Sequence, residues 1–381
     1  MMAAPSVSKP SRQLDFPVHS PDGRFIACQV SKLRGFESAY VPAVLDAHSG
    51  KFIGAGEEWG LREAPTWLND QQFSVGVAGY SLTPQPQRGK LTRLSYPVLS
   101  SVVSQPASLN RPGVTNVVRK DVLRDADIAL WHLQASSAGG SMAASSIQTG
   151  QEIPLPKTIS SIRDPGYGQF AAPPFKKGAP RILAALVPVV DSFGPQRLEV
   201  WNLSQPKLLF SKEYQDTNGA ELHWTKDGKY ILVSGIETVS PSTTDNAKAD
   251  EENDIIEVID PHTRATRASN HLALPRFSGP GIGTIEISND GRYFLTRQKV
   301  GTGRSKKYRL VVCAIPSEKV LCTFERDREF INLPRFSTHD SQLLVWSAKD
   351  TIFLQQWKPS KLPQKLSPRQ LKLKINASVF G

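Results

Sequence analysis

Short apolar runs, broken every few residues by Ser, Asp, Gly or Pro, recur along the whole chain and predict many short strands rather than long helices. The sharpest case is a string of the form apolar-Ser-x-Asp-Gly-basic-aromatic-apolar. It appears as Val18-His19-Ser20-Pro21-Asp22-Gly23-Arg24-Phe25-Ile26 and again as Ile287-Ser288-Asn289-Asp290-Gly291-Arg292-Tyr293-Phe294-Leu295. A third copy is Trp224-Thr225-Lys226-Asp227-Gly228-Lys229-Tyr230-Ile231-Leu232. Looser copies are Trp67-Leu68-Asn69-Asp70-Gln71-Gln72-Phe73 and Phe336-Ser337-Thr338-His339-Asp340-Ser341-Gln342-Leu343-Leu344. In each, Asp-Gly or its replacement supplies the positive-φ residues of a tight hairpin turn, and the apolar and aromatic residues on either side run as strands. Asp22, Gly23, Asp227, Gly228, Asp290 and Gly291 are therefore read as turn residues with a structural role.

Measured from Asp to Asp, the intervals are 48 (22 to 70), 157 (70 to 227), 63 (227 to 290) and 50 (290 to 340). The long gap holds about three periods, so two degenerate units are expected inside it. A second hairpin follows most copies, as in Val44-Leu45-Asp46-Ala47-His48-Ser49-Gly50-Lys51-Phe52 and Val258-Ile259-Asp260-Pro261-His262-Thr263-Arg264. Two hairpins per repeat make a four-stranded antiparallel sheet, and such sheets bury both faces when stacked side by side.

The expected fold class is all-β, a β-propeller of seven four-stranded blades at about 16–60, 61–105, 110–158, 160–215, 219–275, 280–327 and 330–366. Residues 1–15 would be an N-terminal extension, and 367–381 a basic C-terminal tail or a ring-closing strand. The spacing also leaves six or eight blades open. Closure is expected to use one terminus to complete a blade begun by the other, with Leu14-Asp15-Phe16 or Gln370-Leu371-Lys372-Leu373-Lys374-Ile375 as the strand. Lysines on such an edge also guard against pairing between sheets.

The repeat resembles that of the WD40-like propellers and of their TolB-like variant, whose Ser-Pro-Asp-Gly-Arg/Lys string is matched best by Ser20-Pro21-Asp22-Gly23-Arg24. The resemblance covers nearly the whole chain, but no Gly-His pair opens a blade and no Trp-Asp dipeptide closes a strand. It implies the fold and not an activity, because such scaffolds host unrelated functions.

Charge adds one asymmetry. The formal net charge is +11, and from Thr351 onward there are six lysines and arginines and no acidic residue. Basic clusters at Lys176, Lys177, Arg304, Lys306 and Lys307 could join Arg369, Lys372 and Lys374 in one positive surface for nucleic acid, anionic polymer or an acidic protein patch. The plainer reading is a solvated, charged surface.

Motifs for chemistry are absent from the sequence. There is no Gly-x-Ser-x-Gly and no phosphate-binding loop, and Gly281-Ile282-Gly283 precedes a strand rather than a helix. The seven histidines have no spacing typical of a helix-borne metal site. No catalytic residue, metal or cofactor is expected. The insertion 240–254, with Asp245, Asp250, Glu251, Glu252 and Asp254, lacks the glycine of a calcium loop and is read as a solvated loop or a recognition loop for a basic partner. Cys28, Cys313 and Cys322 are too few for a disulfide framework. A bond between Cys313 and Cys322 stays open: they would face each other across a two-residue turn and sit diagonally across a four-residue one.

No run approaches the ~20 apolar residues of a membrane span. The expected location is cytoplasmic, or exported if a leader has been removed. The favoured function is a non-enzymatic scaffold that presents loops, at 81–90, 135–147 and 240–254, to a protein or peptide. The alternatives are a propeller hydrolase or lyase with residues converging on the central channel, and a binder of nucleic acid or anionic polymer.

Overall fold

The structure is a computed structural model. It describes residues 12–34, 37–57, 64–75, 78–83, 89–94, 105–135, 139–163, 168–189, 195–214, 220–237, 254–274, 285–300, 307–324 and 334–372. Among these residues, 28 strands form seven four-stranded antiparallel sheets in which consecutive strands pair. These are the blades of a β-propeller, the fold that the repeat spacing predicts. The chain divides into two compact units, residues 1–99 with 324–381 and residues 100–323.

The first unit holds three sheets. Sheet one is β1 (Arg12–His19), β2 (Phe25–Arg34), β3 (Glu37–Asp46) and β4 (Phe52–Ala55). Sheet two is β5 (Thr66–Asn69), β6 (Gln72–Val75), β7 (Ala78–Ser81) and β8 (Thr92–Arg93). Sheet seven is β25 (Arg335–Phe336), β26 (Leu343–Ala348), β27 (Thr351–Gln356) and β28 (Arg369–Lys372).

The second unit holds the other four. Sheet three is β9 (Val114–Leu123), β10 (Ile128–Ala135), β11 (Gly139–Ser145) and β12 (Glu152–Ile153). Sheet four is β13 (Gln169–Ala171), β14 (Ile182–Pro188), β15 (Gln196–Asn202) and β16 (Lys207–Tyr214). Sheet five is β17 (Glu221–Trp224), β18 (Ile231–Glu237), β19 (Asp254–Ile259) and β20 (Thr266–Leu274). Sheet six is β21 (Ile285–Ile287), β22 (Tyr293–Val300), β23 (Lys307–Ala314) and β24 (Val320–Thr323). A single helical turn, α1 (Lys157–Ser160), lies between sheets three and four.

Strand β14, Ile-Leu-Ala-Ala-Leu-Val-Pro, shows why the middle strands run apolar almost without a break. Its Leu183, Ala185 and Val187 face one core, with Ile128, Leu130 and Ile159. Its Ala184 and Leu186 face the next, with Leu198, Ile231 and Val233. Successive side chains point to opposite faces, so a strand covered on both sides has no polar positions to alternate with. Each large side chain so buried contributes about 1.5–3 kcal/mol. The fourth strand β16 instead alternates toward its end, with Phe210 and Tyr214 buried and Ser211 and Glu213 exposed.

Three expectations are corrected. Sheet one draws all four strands from the N-terminal segment and sheet seven all four from the C-terminal segment, so neither terminus completes the other's blade. The two sheets are joined by hydrogen bonds instead. Leu14 N–H donates to Lys349 O at 2.6 Å, and the Ser347 hydroxyl donates to Leu14 O at 2.7 Å. The Thr338 hydroxyl reaches the carbonyls of His19 and Ser20, each at 2.9 Å. The Arg369 guanidinium caps the carbonyls of Ala47 and His48 at 2.8 and 3.0 Å. Second, most of the surface loop expected at 135–147 is strand β11, whose Gly139, Gly140 and Ser141 pair with Ala135, Gln134 and Leu133. Gly140 fits there because a Cβ would come within 1.9 Å of His132 Nε2, so the small residues allow close approach rather than looseness. Third, in the Asp-Gly turns only the glycine takes a positive φ, +72° at Gly23, +78° at Gly228 and +69° at Gly291.

The cysteine question is answered by a bulge. Cys322 lies opposite Val312 and Cys313 opposite Val320. That register sends the two side chains to opposite faces of sheet six. All three cysteines are free and buried, and burial pushes the thiols up, Cys28 to about 12 and Cys322 to about 11. None is held as a thiolate.

Candidate functional site

The repeat string builds one turn three times. In the first, Gly23 N–H donates to Ser20 O at 2.9 Å, and Pro21 supplies the fixed φ favoured at the second position. The Ser20 hydroxyl donates to Asp22 Oδ1 at 2.6 Å and accepts from Phe25 N–H at 3.0 Å, while Arg24 N–H donates to Asp22 Oδ1 at 3.1 Å. Thr225 and Asp227 repeat the arrangement at 2.7, 3.0 and 3.1 Å, and Ser288 and Asp290 at 2.7, 2.9 and 3.1 Å. The hydroxyl and carboxylate thus satisfy backbone groups that the hairpin leaves without ladder partners. What each turn offers outward is its basic neighbour: Arg24, Lys229 and Arg292 are all exposed.

In the second unit these first turns touch one another in a row. The loop 172–181 of sheet four meets sheet three through Phe175 N–H, which donates to Asp125 O at 2.6 Å. The same loop lies against sheet five, where a Cβ on Gly228 would be 3.3 Å from Pro173 Cβ. Sheet five meets sheet six at Gly291, where a Cβ would be 3.3 Å from both Asp227 Oδ1 and Thr225 Cβ. The Arg181 guanidinium, 4.5 Å from the Phe175 ring, also pairs with Asp127 and fixes the loop to sheet three. Burial pushes the Asp127 carboxyl up, but hydrogen bonds from Ser146, Gln148 N–H and Arg181, with the latter's charge, hold it below the usual carboxylate range.

The sequence-predicted site residues separate. Lys176 and Lys177 are exposed on the 172–181 loop and so belong to the row. Lys307 begins β23, and Arg369 and Lys372 lie on β28, in the other unit. Asp245, Asp250, Glu251, Glu252, Arg304, Lys306 and Lys374 lie outside the described residues. Asp254 opens β19 opposite Leu274. Of the presenting loops, 84–88, 136–138 and 240–253 also fall outside them.

Sequence reading missed Lys226, Lys229 and Arg292 as surface groups, although the basic position of the repeat string announces two of them. It also missed the acids that organise the second turn. Asp46 Oδ1 accepts from Ser49 N–H and Oγ, each at 2.7 Å, and from His48 N–H at 3.2 Å. Asp260 Oδ1 accepts from His262 and Thr263 N–H at 2.8 and 3.2 Å. The matched His48 and His262 are there for their backbone groups, and the Asp two residues upstream was the signal.

Buried carboxylates in the second unit are hydrogen-bonded, Glu257 across the seam between sheets four and five and Glu199 chiefly within its own strand. Glu257 on β19 accepts from Lys212 Nζ at 2.7 and 2.9 Å and from the Tyr214 hydroxyl at 2.8 Å, both on β16. Burial and the Glu257 charge push the Tyr214 phenol up. Glu199 on β15 accepts from Arg197 at 2.8 Å, Trp201 Nε1 at 2.7 Å and the Thr158 hydroxyl of α1 at 2.6 Å. In the first unit, His19 sits buried between sheets one and seven, its ring 6.5 Å from that of His339, and its Nδ1 has no hydrogen-bond partner among the described residues. Burial, with the nearby His339 and Arg369, lowers its pKa to about 4. Among the described residues, no group of three or more His, Cys, Asp or Glu is arranged to hold a metal ion, and no helix is long and apolar enough to cross a membrane.

No family model matches the chain, and no curated protein matches it. Among solved structures it is similar to the Dos1 propeller, with 12% identity and a TM-score of 0.41 over 88% of this chain and 75% of that one. It is also similar to the Cps50 (Swd1) β-propeller domain of Myceliophteria thermophila, with 11% identity and a TM-score of 0.42 over 88% of this chain and 93% of that one. The seven sheets of four strands carry the propeller assignment by themselves.

Proposed function

We propose that this chain is a non-enzymatic scaffold that binds a protein partner through the row of first turns, sheet three to sheet six. The observations that support this reading are that the turns of sheets five and six have their hydroxyl and carboxylate bonded within the turn, and that successive turns from sheet three to sheet six contact one another. A surface so braced loses little conformational entropy when a partner settles on it, which favours binding over loosely held loops.

Affinity capture with the full chain, washed at moderate salt and followed by cross-linking mass spectrometry, tests the proposal. A stoichiometric protein partner cross-linked to Lys176, Lys177, Lys226 or Lys229 supports it. Retention of no protein, or cross-links confined to Lys358, Lys361 and Lys365, contradicts it.

A further inference from the structure

The row of turns in the second unit is unequal in charge. Lys176, Lys177, Lys226, Lys229 and Arg292 are exposed along it, against Asp125, Asp227 and Asp290. Lys229 lies 3.5 Å from Asp227, and Arg292 lies 2.7 Å from Asp290. Arg181 and Asp127 offset each other. Lys176, Lys177 and Lys226 form no ion pair among the described residues, and they sit on two turns that touch through Pro173 and Gly228. A cation left without a partner on a braced surface keeps its Coulomb attraction for an incoming anion and has no native pair to break.

Resting on the scaffold reading, we propose that this row is the docking site of an acidic, extended protein segment, with Lys176, Lys177 and Lys226 meeting its carboxylates. Two features favour a peptide over a nucleic acid. Each of three turns also carries an aspartate, which would repel a backbone charged at every step, whereas a peptide can set uncharged residues opposite Asp125, Asp227 and Asp290. The row's aromatic faces are also engaged, Phe175 under Arg181 at 4.5 Å and Tyr293 under Arg292 at 5.4 Å, so stacking platforms for bases are lacking at both positions.

The test is fluorescence anisotropy of the full chain with two labelled probes, a peptide of alternating Glu and Gly and an oligothymidylate of equal length. The variant Lys176→Glu/Lys177→Glu/Lys226→Glu reverses the row. The variant Lys358→Glu/Lys361→Glu/Lys365→Glu makes the same charge change on the exposed stretch between β27 and β28. All six lysines are exposed, and circular dichroism confirms that each variant is folded. The peptide is expected to bind the parent chain, to bind the row variant at least about tenfold more weakly, and to bind the second variant within about twofold of the parent. Equal loss in both variants, no loss in the row variant, no peptide binding at all, or tighter binding of oligothymidylate than of peptide would overturn the proposal. A row variant that still captures the same protein and cross-links through its remaining Lys229 would sink the charge assignment alone. Absence of any captured protein with the parent chain sinks the scaffold reading itself.

Discussion

The two units use the same first turn and surround it with opposite charge. In the first unit the turns carry Asp22, Asp70 and Asp340 against Arg24, and they meet through Asp22 N–H donating to Asp70 Oδ1 at 3.0 Å and through Gly23 against the His339 ring. In the second, exposed lysines outnumber the acids. The seams differ in the same way. Sheets of the second unit are joined by buried carboxylates with cations, at Glu257 with Lys212 and at Asp127 with Arg181. Those of the first use neutral donors on backbone carbonyls, such as Ser347 on Leu14 and Trp67 Nε1 on Val18 at 3.0 Å, with Arg369 the one cation among the bonds named. The contrast teaches that the turn frame is set by its Ser or Thr, Asp and Gly, and that the positions around it are free to carry whatever charge a partner requires.

Breaking the charged seam should have the largest effect. Glu257→Ala leaves Lys212 and the Tyr214 hydroxyl without their acceptor, and urea unfolding should show a loss of about 2–3 kcal/mol. That is less than the ~3–5 kcal/mol of a fully buried pair, because the Lys212 side chain remains 32% exposed. Ser347→Ala, at the neutral seam, should lose only about 1 kcal/mol. Equal losses would erase the distinction between the two kinds of seam.

Glycine substitution sharpens it next. Gly23→Ala imposes left-handed strain and drives a Cβ to within 2.3 Å of His339 Cδ2, whereas Gly150→Ala imposes the strain with nothing within 4 Å. Thermal melts should place the first at about 2 kcal/mol and the second at about 1 kcal/mol.

Acid should also separate the units. The folded-state pKa of His19, about 4, lies below its ordinary 6.5, so the fold favours the neutral ring. Its stabilising contribution is complete above pH 6.5 and is lost as pH falls toward 4. Asp127, held below its ordinary 3.8, contributes fully above that value and loses its contribution only as pH falls further. Urea midpoints measured at steps from pH 7 to 4 should therefore decline, and His19→Gln should flatten the decline. An unchanged slope in that variant would mean that another group governs the window. An effect as small as that of Ser347→Ala is expected for Ser288→Ala, about 1 kcal/mol in urea unfolding, since one backbone N–H and the Asp290 carboxylate lose a partner at a partly exposed turn.

How much of this was legible depended on distance along the chain. The three Ser/Thr-x-Asp-Gly turns are local, each closed within six residues, so their geometry is written in their own string. Sheet three was hard to see because its first turn uses Asp127 at φ +57° where the others use glycine, and sheet four because a proline-rich loop, 172–181, replaces the string altogether. The row of turns was not legible at all. Its contacts, such as Phe175 with Asp125 and Gly291 with Asp227, join residues some fifty or more apart, and no periodicity announces which exposed lysines they bring together.

The measurement that bears most directly on the account is hydrogen–deuterium exchange of the full chain with and without the Glu-Gly peptide at saturating concentration. The account predicts slowed exchange at 124–127, 175–181, 225–230 and 288–293 and none at 20–25 or 70–72. Protection spread evenly over both units, or confined to the first, would contradict it.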